Sequence, residues 1–102
     1  MKQLTLIVHA DIKQALSDVL RGLGQVSGFT FTDAEGHGSQ RDSDPLLTAR
    51  DLVVGYRPHV RVDILLRDGD VDAVLDALRN SQTGVSGRGH YWVTEVEREG
   101  RL

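Results

Sequence analysis

The side chains of this sequence that are best suited to chemistry are imidazoles and guanidinium groups. The chain has four histidines and no cysteine, so a metal site would be built from imidazole and oxygen ligands. Imidazole favours zinc, copper(II), nickel or cobalt, whereas a thiolate copper(I) site and a cysteine nucleophile are excluded. Ten of the twelve cationic side chains are arginine, whose planar fork binds carboxylate and phosphate oxygens, although codon usage alone also produces this bias. The residue types therefore point to binding of a metal ion or an anion.

No pattern typical of a catalytic centre accompanies these side chains. The carboxylates that could be paired with a histidine for acid–base chemistry are Asp33, Glu35, Asp42, Asp44 and Asp51. The sequence has no nucleophile motif, Walker loop or metalloprotease helix to go with them. Gly36-His37-Gly38 is not followed at once by a predicted helix, which a dinucleotide-binding fingerprint requires. We therefore expect a solvated, partner-facing surface and no enzyme.

The composition predicts one folded domain. The 102 residues include 39% hydrophobic and 26% charged residues, which is ordinary for a globular domain and excludes wholesale disorder. A net charge of -3 argues against a nucleic-acid binder. No apolar stretch approaches the roughly 18 residues that a membrane span needs, and the first residues lack the apolar core of a signal peptide. We expect a cytoplasmic protein with no direct membrane insertion and no nucleic-acid partner.

Hydrophobic periodicity predicts four strands and two helices. The strands are expected at 1–8, 25–36, 59–67 and 90–96. The helices are expected at 12–23 and 71–78, where apolar residues follow helical spacing. Asp11 is expected to cap the first helix and Gly24 to end it. The segment 36–57, rich in glycine and charge, is expected to be a long loop with a short helix within 46–53.

The order of these elements predicts an α+β, ferredoxin-like βαββαβ fold. Two helices would cover one face of a four-stranded antiparallel sheet. The other face would carry Thr5 or Ile7, Thr30, Arg61 and Leu65. Such a half-apolar open face is typical of a surface that is buried in an oligomer. Tyr91 and Trp92 alternate on the last strand, so we expect one in the core and the other at a subunit contact.

Three stretches of the chain combine glycines with aromatic and polar residues at defined spacings. They are Gly28-Phe29-Thr30-Phe31-Thr32 with Gly36-His37-Gly38-Ser39-Gln40, Tyr56-Arg57-Pro58-His59-Val60-Arg61-Val62, and Thr83-Gly84 with Gly87-Arg88-Gly89-His90-Tyr91-Trp92-Val93. In order, they resemble the second strand and T-loop entry, the T-loop exit and third strand, and the B-loop and fourth strand of the PII signal-transduction family. The resemblance covers nearly the whole chain. It implies one PII-like domain over 1–102, with 37–57 as the T-loop and 82–89 as the B-loop.

The resemblance also implies a homotrimer with a binding cleft between neighbouring subunits. Family members bind adenine nucleotides in this cleft and contact a partner, often a membrane transporter, through the T-loop. Transferred residue by residue, the nucleotide-binding positions are Thr30, Gly38, Ser39, Gln40, Gly87, Arg88, Gly89, His90, Arg98 and Arg101. Backbone amides at glycines can hold phosphate oxygens, and arginines can bind them through paired hydrogen bonds. The effectors implied are ATP, ADP or AMP, with or without bicarbonate, and no cofactor is required.

The chain departs from the family pattern at three points. Ser39 replaces the lysine or arginine before the T-loop glutamine, and His90 replaces a phosphate-binding lysine at the end of the B-loop. The tyrosine that some members modify has no counterpart, since Tyr56 lies at the loop exit, so signalling by tyrosine modification is not expected. The sequence is most similar to divergent PII-like proteins encoded beside heavy-metal efflux or bicarbonate-uptake genes. CutA-type cation-tolerance proteins are a more distant match.

The histidines support an alternative function. His37 and His59 end and begin neighbouring strands, and the resemblance places His90 near a neighbouring subunit's loop, so the three could hold a divalent metal. They could equally be exposed polar residues at strand ends, because no local spacing such as His-x-x-x-His supports a metal site. His9 is expected to be a turn residue. We thus expect a trimeric regulator that acts on a transporter or efflux component, with a metal-binding protein or a plain oligomerisation module as alternatives.

Overall fold

Four strands form one antiparallel sheet in the computed structural model, which describes residues 1–37, 57–86 and 88–102. The strands are β1 (Lys2–His9), β2 (Phe29–Gly36), β3 (Arg57–Leu66) and β4 (His90–Glu95), and their order in the sheet is β2-β3-β1-β4. The helices are α1 (Lys13–Arg21) and α2 (Val71–Asn80). This arrangement confirms the predicted ferredoxin-like α+β fold. The short helix predicted within 46–53 and nearly all of the predicted T-loop lie outside the described residues.

The core lies between the two helices and one face of the sheet. On β1 the residues Leu4, Leu6 and Val8 point into it, and they stand opposite Ile64, Val62 and Val60 of β3. The helices contribute the buried residues Leu16, Leu20, Val74, Leu75 and Leu78 to the same cluster. Because strand side chains alternate between the two faces, the remaining positions of β1 and β3 form the opposite face. That opposite face is called the open face below.

The first helix begins and ends differently from the prediction. A 3-10 turn at Ala10–Ile12 precedes α1, and its cap is His9, whose Nδ1 accepts a hydrogen bond of 3.1 Å from the backbone N–H of Asp11. The expected cap at Asp11 is therefore wrong, because the chain begins to coil at Ala10, two residues before the predicted start of the helix. Gly22, not Gly24, is the residue that follows the helix, where its N–H donates to Val19 O at 3.0 Å.

The second strand is shorter than predicted. It begins at Phe29 and not at residue 25, because the preceding residues form turns in which Val26 N–H donates to Leu23 O at 3.1 Å. The third strand begins at Arg57, two residues earlier than predicted, and this residue pairs with Gly36. A backbone N–H that donates within a turn cannot also donate to a neighbouring strand. The ends of β2 and β3 are therefore set by backbone hydrogen bonds and not by the alternation of apolar and polar side chains.

The last strand is exposed on both faces. Tyr91 and Val93 stand opposite Leu6 and Leu4, on the helix side, and Trp92 stands opposite Thr5, on the open face. Tyr91 is 44% exposed and Trp92 is 38% exposed. The expectation that one of the two aromatic residues lies in the core is therefore wrong. As β4 is an edge strand, it has a sheet neighbour on one side only.

Neither described helix is long and apolar enough to cross a membrane.

Candidate functional site

The open face is lined by alternate residues of all four strands. The positions it collects are Gln3, Thr5, Ile7 and His9 of β1, Thr30, Thr32, Ala34 and Gly36 of β2, His59, Arg61, Asp63 and Leu65 of β3, and His90, Trp92 and Thr94 of β4. No described helix contributes to this surface. The sequence predicted Thr5 or Ile7, Thr30, Arg61 and Leu65 on this face, and the strand register confirms this prediction.

A carboxylate organises the middle of the open face. Asp63 Oδ1 accepts hydrogen bonds from Thr5 Oγ1 at 2.8 Å and from Gln3 Nε2 at 2.9 Å. Arg61 Nε donates to the same carboxylate, at 3.0 Å to Oδ2 and 3.2 Å to Oδ1. Two neighbouring strands thus converge on one acceptor, and the charge of Asp63 is matched by one guanidinium group.

These contacts perturb the ionisation of Asp63. Partial burial is the largest single influence and acts to raise its pKa, because it disfavours the charged form. Hydrogen bonds from Arg61, Thr5 and Gln3, together with the positive charge of Arg61, outweigh burial and hold the pKa of Asp63 below its usual value. The carboxylate therefore stays ionised at neutral pH and fixes the position of the Arg61 guanidinium.

An aromatic group lies beside this charge pair. The Arg61 guanidinium carbon lies 5.7 Å from the centre of the Trp92 ring, within the range of a cation–π contact. The ring of His90 lies 6.2 Å from the same indole and is tilted by 58° to it. Arg61 thus links the carboxylate of β3 to the aromatic residues of β4, and the open face presents a polar centre with an aromatic border.

All four histidines lie at one end of the sheet. His9 ends β1, His37 follows β2, His59 lies near the start of β3 and His90 begins β4. The rings of His9 and His59 meet edge to face with centres 5.8 Å apart, and His9 is only 3% exposed. His37 is exposed, with its Nε2 at 3.3 Å from Glu35 Oε2.

The His59 imidazole occupies space that a side chain at position 36 would fill. A Cβ atom added to Gly36 would lie 2.2 Å from the Cε1 and Nδ1 atoms of His59. Real Cβ atoms do not approach neighbours this closely, so the glycine is needed for packing of the ring. Among the described residues, no group of three or more His, Asp or Glu side chains is placed to hold a metal ion. A three-histidine site built from His37, His59 and His90 would need more than one subunit, and it stays a prediction.

The connector between α2 and β4 lies at the same end of the sheet. The N–H groups of Arg88 and Gly89 both donate to Val85 O, at 3.0 and 2.9 Å, so these two amides already have an acceptor within the chain. Gly84 has a φ of +84°, a conformation that glycine adopts most readily. Gly87 and three other predicted ligand positions, Gly38, Ser39 and Gln40, lie outside the described residues.

The other predicted nucleotide ligands are spread over the two edges of the sheet and the C-terminal segment. Thr30 lies exposed on the edge strand β2, whereas Arg88, Gly89 and His90 lie at the opposite edge. Two strands separate these edges, so they are about 14 Å apart at a strand spacing of roughly 4.8 Å. Arg98 and Arg101 are exposed beyond the end of β4. Within one chain, Thr30 therefore does not meet the B-loop residues.

Sequence reasoning missed the hydrogen-bonded group around Asp63. Its members lie on β1 and β3, about sixty positions apart in the chain, and only the strand register brings them together. The available clue was the alternation of Arg61 and Asp63 with buried residues of β3, which indicates that the two charges share one face.

The comparisons with known proteins place the chain in a family. All residues, 1–102, match the family model described as "Protein of unknown function (DUF3240)". A "Nitrogen regulatory protein P-II" of Rhizobium meliloti is 38% identical over 93 residues, which are 90% of this chain and 79% of the relative. A second protein of that name, from Rhizobium leguminosarum bv. viciae, is 35% identical over 99 residues, which are 93% of this chain and 88% of the relative. The relatives thus bear the name of regulatory proteins.

The fold is also seen in a solved relative. The crystal structure of a DUF3240 family protein from Shewanella baltica superposes with a TM-score of 0.76. The match covers 99% of this chain and 94% of the other, at 25% sequence identity.

Proposed function

Since the chain belongs to the DUF3240 family and is a divergent relative of the PII nitrogen regulatory proteins, we propose that it is a regulatory protein that senses a small effector. In this proposal it acts as a homotrimer. Its 102 residues form a single PII-like domain in the cytoplasm and catalyse no reaction. A small effector, most simply an adenine nucleotide with or without bicarbonate, binds between subunits. Binding of the effector changes how segment 37–57 contacts a partner protein. We expect this partner to be a membrane transporter or an efflux component.

The separation of Thr30 from the B-loop is the observation that carries this proposal. The two predicted parts of the binding site lie on opposite edges of one sheet, with β3 and β1 between them. A cleft that uses both must therefore combine the β2 edge of one copy with the β4 edge of another. Assembly around the open face supplies such a junction, because this face carries Leu65 and Trp92, both more than a third exposed.

The chemistry of the β4 edge suits the phosphate groups of a nucleotide. The exposed side chain of Arg88 lies just before β4, and the exposed side chains of Arg98 and Arg101 follow this strand. Guanidinium groups bind phosphate through paired, charge-assisted hydrogen bonds. His90 stands where the family resemblance implies a lysine, so an imidazole ring would contact the anion there.

A thermal-melt experiment tests this function. ATP, ADP and AMP are added separately, each with and without bicarbonate, to the wild type and to the variants Arg98→Gln and Arg101→Gln. A nucleotide at about 100 times its Kd stabilises the folded state by roughly 2.7 kcal/mol, which raises the Tm by roughly 10–20 °C. The shift should shrink in both variants and persist in Arg21→Gln, a control on α1. Absence of a shift with every nucleotide would refute the nucleotide sensor.

A divalent-metal binder is the second candidate, and the common location of the four histidines favours it. His37, His59 and His90 lie at one end of the sheet, and a second copy could complete a set of three or four ligands. Titration with Zn2+, Cu2+ or Ni2+ should then give saturable binding that is lost when these three are changed to alanine. Unchanged affinity in the triple variant would eliminate this function.

A further inference from the structure

An apolar cleft lies on the helix side of the sheet, away from the open face. It has a volume of about 240 Å³ and lies between α2, the edge strand β4 and the connector that joins them. Its floor is formed by core residues, and its walls are formed by Val85, Ser86, Gly89, His90 and Tyr91. The floor residues are Leu6, Val8, Leu75 and Leu78. All four are less than a tenth exposed, so the cleft opens directly onto the core.

Hydrogen bonds and close packing place Gly89 against Val85 in the wall of the cleft. The N–H groups of Arg88 and Gly89 both donate to Val85 O. A Cβ atom at Gly89 would lie 2.8 Å from Val85 Cγ2 and 3.2 Å from Val8 Cγ1. The absence of a side chain at Gly89 thus lets the connector pack against the core, and this packing sets the width of the cleft.

The guanidinium group of Arg79 lies at the rim of this apolar space. The guanidinium carbon of Arg79 lies 5.7 Å from the centre of the Tyr91 ring, and Arg79 lines the cleft together with that ring. Its contact with Asp76, from Nη1 to Oδ1, is 3.6 Å long and joins two well-exposed side chains, so it is a weak surface pair. A guanidinium has five N–H donors, so Arg79 can bind a second carboxylate beside Asp76.

We propose that this cleft binds a small monocarboxylate with an apolar tail. The tail would lie on Leu75, Leu78 and Val85, and the carboxylate would accept hydrogen bonds from Arg79. A cavity of about 150 Å³ with a leucine, isoleucine and phenylalanine lining holds benzene, so 240 Å³ accommodates a chain of several carbons. The floor offers no polar partner for a second charge, so a ligand with a single carboxylate at Arg79 and an apolar tail suits the cleft. The cleft adjoins the proposed nucleotide site, because Gly89 and His90 line the cleft and are also predicted nucleotide-binding positions.

Methyl NMR of the full chain tests the proposal. Sodium octanoate is titrated below its micelle concentration, with 1-octanol as an uncharged probe of the same length. Saturable shifts are expected at the methyl groups of Leu75, Leu78 and Val85, and octanol should bind about tenfold more weakly or worse, because it lacks the charge-assisted contact. Absence of saturable shifts, or equal binding of the two probes, would overturn the proposal.

Two variants and a control locate the binding. Arg79→Gln should weaken octanoate binding by about tenfold and leave octanol binding unchanged. Arg21→Gln, in the last turn of α1 as Arg79 is in the last turn of α2, should leave both unchanged. Ser86→Leu, which places an isobutyl group at the cleft wall, should reduce the binding of both probes. Equal loss in Arg79→Gln and Arg21→Gln would show a nonspecific charge effect and refute the site.

Discussion

Replacement of Asp63 by asparagine isolates the charge that organises the open face. Asparagine keeps the shape of the side chain and an oxygen that can still accept hydrogen bonds from Thr5 and Gln3. It removes the negative charge opposite Arg61, and an amide N–H2 group would face the Arg61 Nε–H group at the position of Oδ2. Two donors would then confront each other on a surface where Asp63 is only 27% exposed.

The expected loss of stability at pH 7 follows from these contacts. A hydrogen bond to a charged group contributes about 1.5–3 kcal/mol, and partial exposure reduces this value towards that of a surface pair. We therefore expect Asp63→Asn to lower the free energy of unfolding by about 1 kcal/mol, which is a fall in Tm of roughly 5 °C. Asp33→Asn, a neutralisation at an exposed position of β2, should change the Tm by much less.

The pH dependence gives the sharper test. The folded state holds the pKa of Asp63 below its unfolded value of about 3.9. This contribution is therefore fully present above pH 4 and is lost as the pH falls through the folded-state pKa. The difference in unfolding free energy between wild type and Asp63→Asn, measured at equal protein concentrations, should be largest at pH 7 and should shrink as the pH falls below about 4. A difference that is constant from pH 7 to pH 2.5 would refute the role given to the carboxylate.

Three further substitutions test the packing. Gly36→Ala should lower the free energy of unfolding by about 1–3 kcal/mol by displacing the His59 ring, which a lower Tm and shifted imidazole NMR signals would show. The control Gly24→Ala should cost less than about 1 kcal/mol, because no atom lies within 4 Å of its new Cβ. Equal effects of the two substitutions would contradict the close contact between position 36 and His59. Gly84→Ala should cost about 1 kcal/mol in urea unfolding, because the backbone there has a positive φ; a neutral result would mean that the turn has another conformation. Val74→Ala, fully buried on α2, should cost about 2 kcal/mol by urea unfolding, and a loss below 0.5 kcal/mol would place it outside the core.

The fold was predictable because the sequence patterns report on burial. The alternation of Leu4, Leu6 and Val8 predicts which face of β1 is buried, and the second helix follows from the spacing of Val71, Val74 and Leu78. The end of α1 was not predictable from the same pattern. Apolar residues continue to Leu23, but a local hydrogen bond from Gly22 to Val19 ends the helix earlier.

The candidate site was predictable only in part. The side chains on the open face followed from alternation, so Thr30, Arg61 and Leu65 were placed correctly. The cap at His9 could not be found, because histidine is an uncommon cap and its role depends on one ring nitrogen that faces the Asp11 amide. The hydrogen bonds of Asp63 to Gln3 and Thr5 depend on register between distant strands, and no local pattern reports on register.

Both edge aromatic residues show how burial depends on position in the sheet. Trp92 and Tyr91 are large and hydrophobic, which favours a core position for one of them. The strand order places them on an edge, where each face has a neighbour on one side only, and each ring packs beside an arginine, Arg61 or Arg79. Strand order is a property of the whole chain, so side-chain type alone could not reveal it.

Native mass spectrometry of the full chain, with and without ADP or ATP, tests the central claim most directly, because one spectrum reports both assembly and occupancy. The trimeric sensor predicts a species of three chains that takes up as many as three nucleotides, and Trp92→Ala should weaken the assembly. A single chain that takes up no nucleotide under the same conditions would contradict the account, because a site formed by two opposite sheet edges cannot exist in one copy.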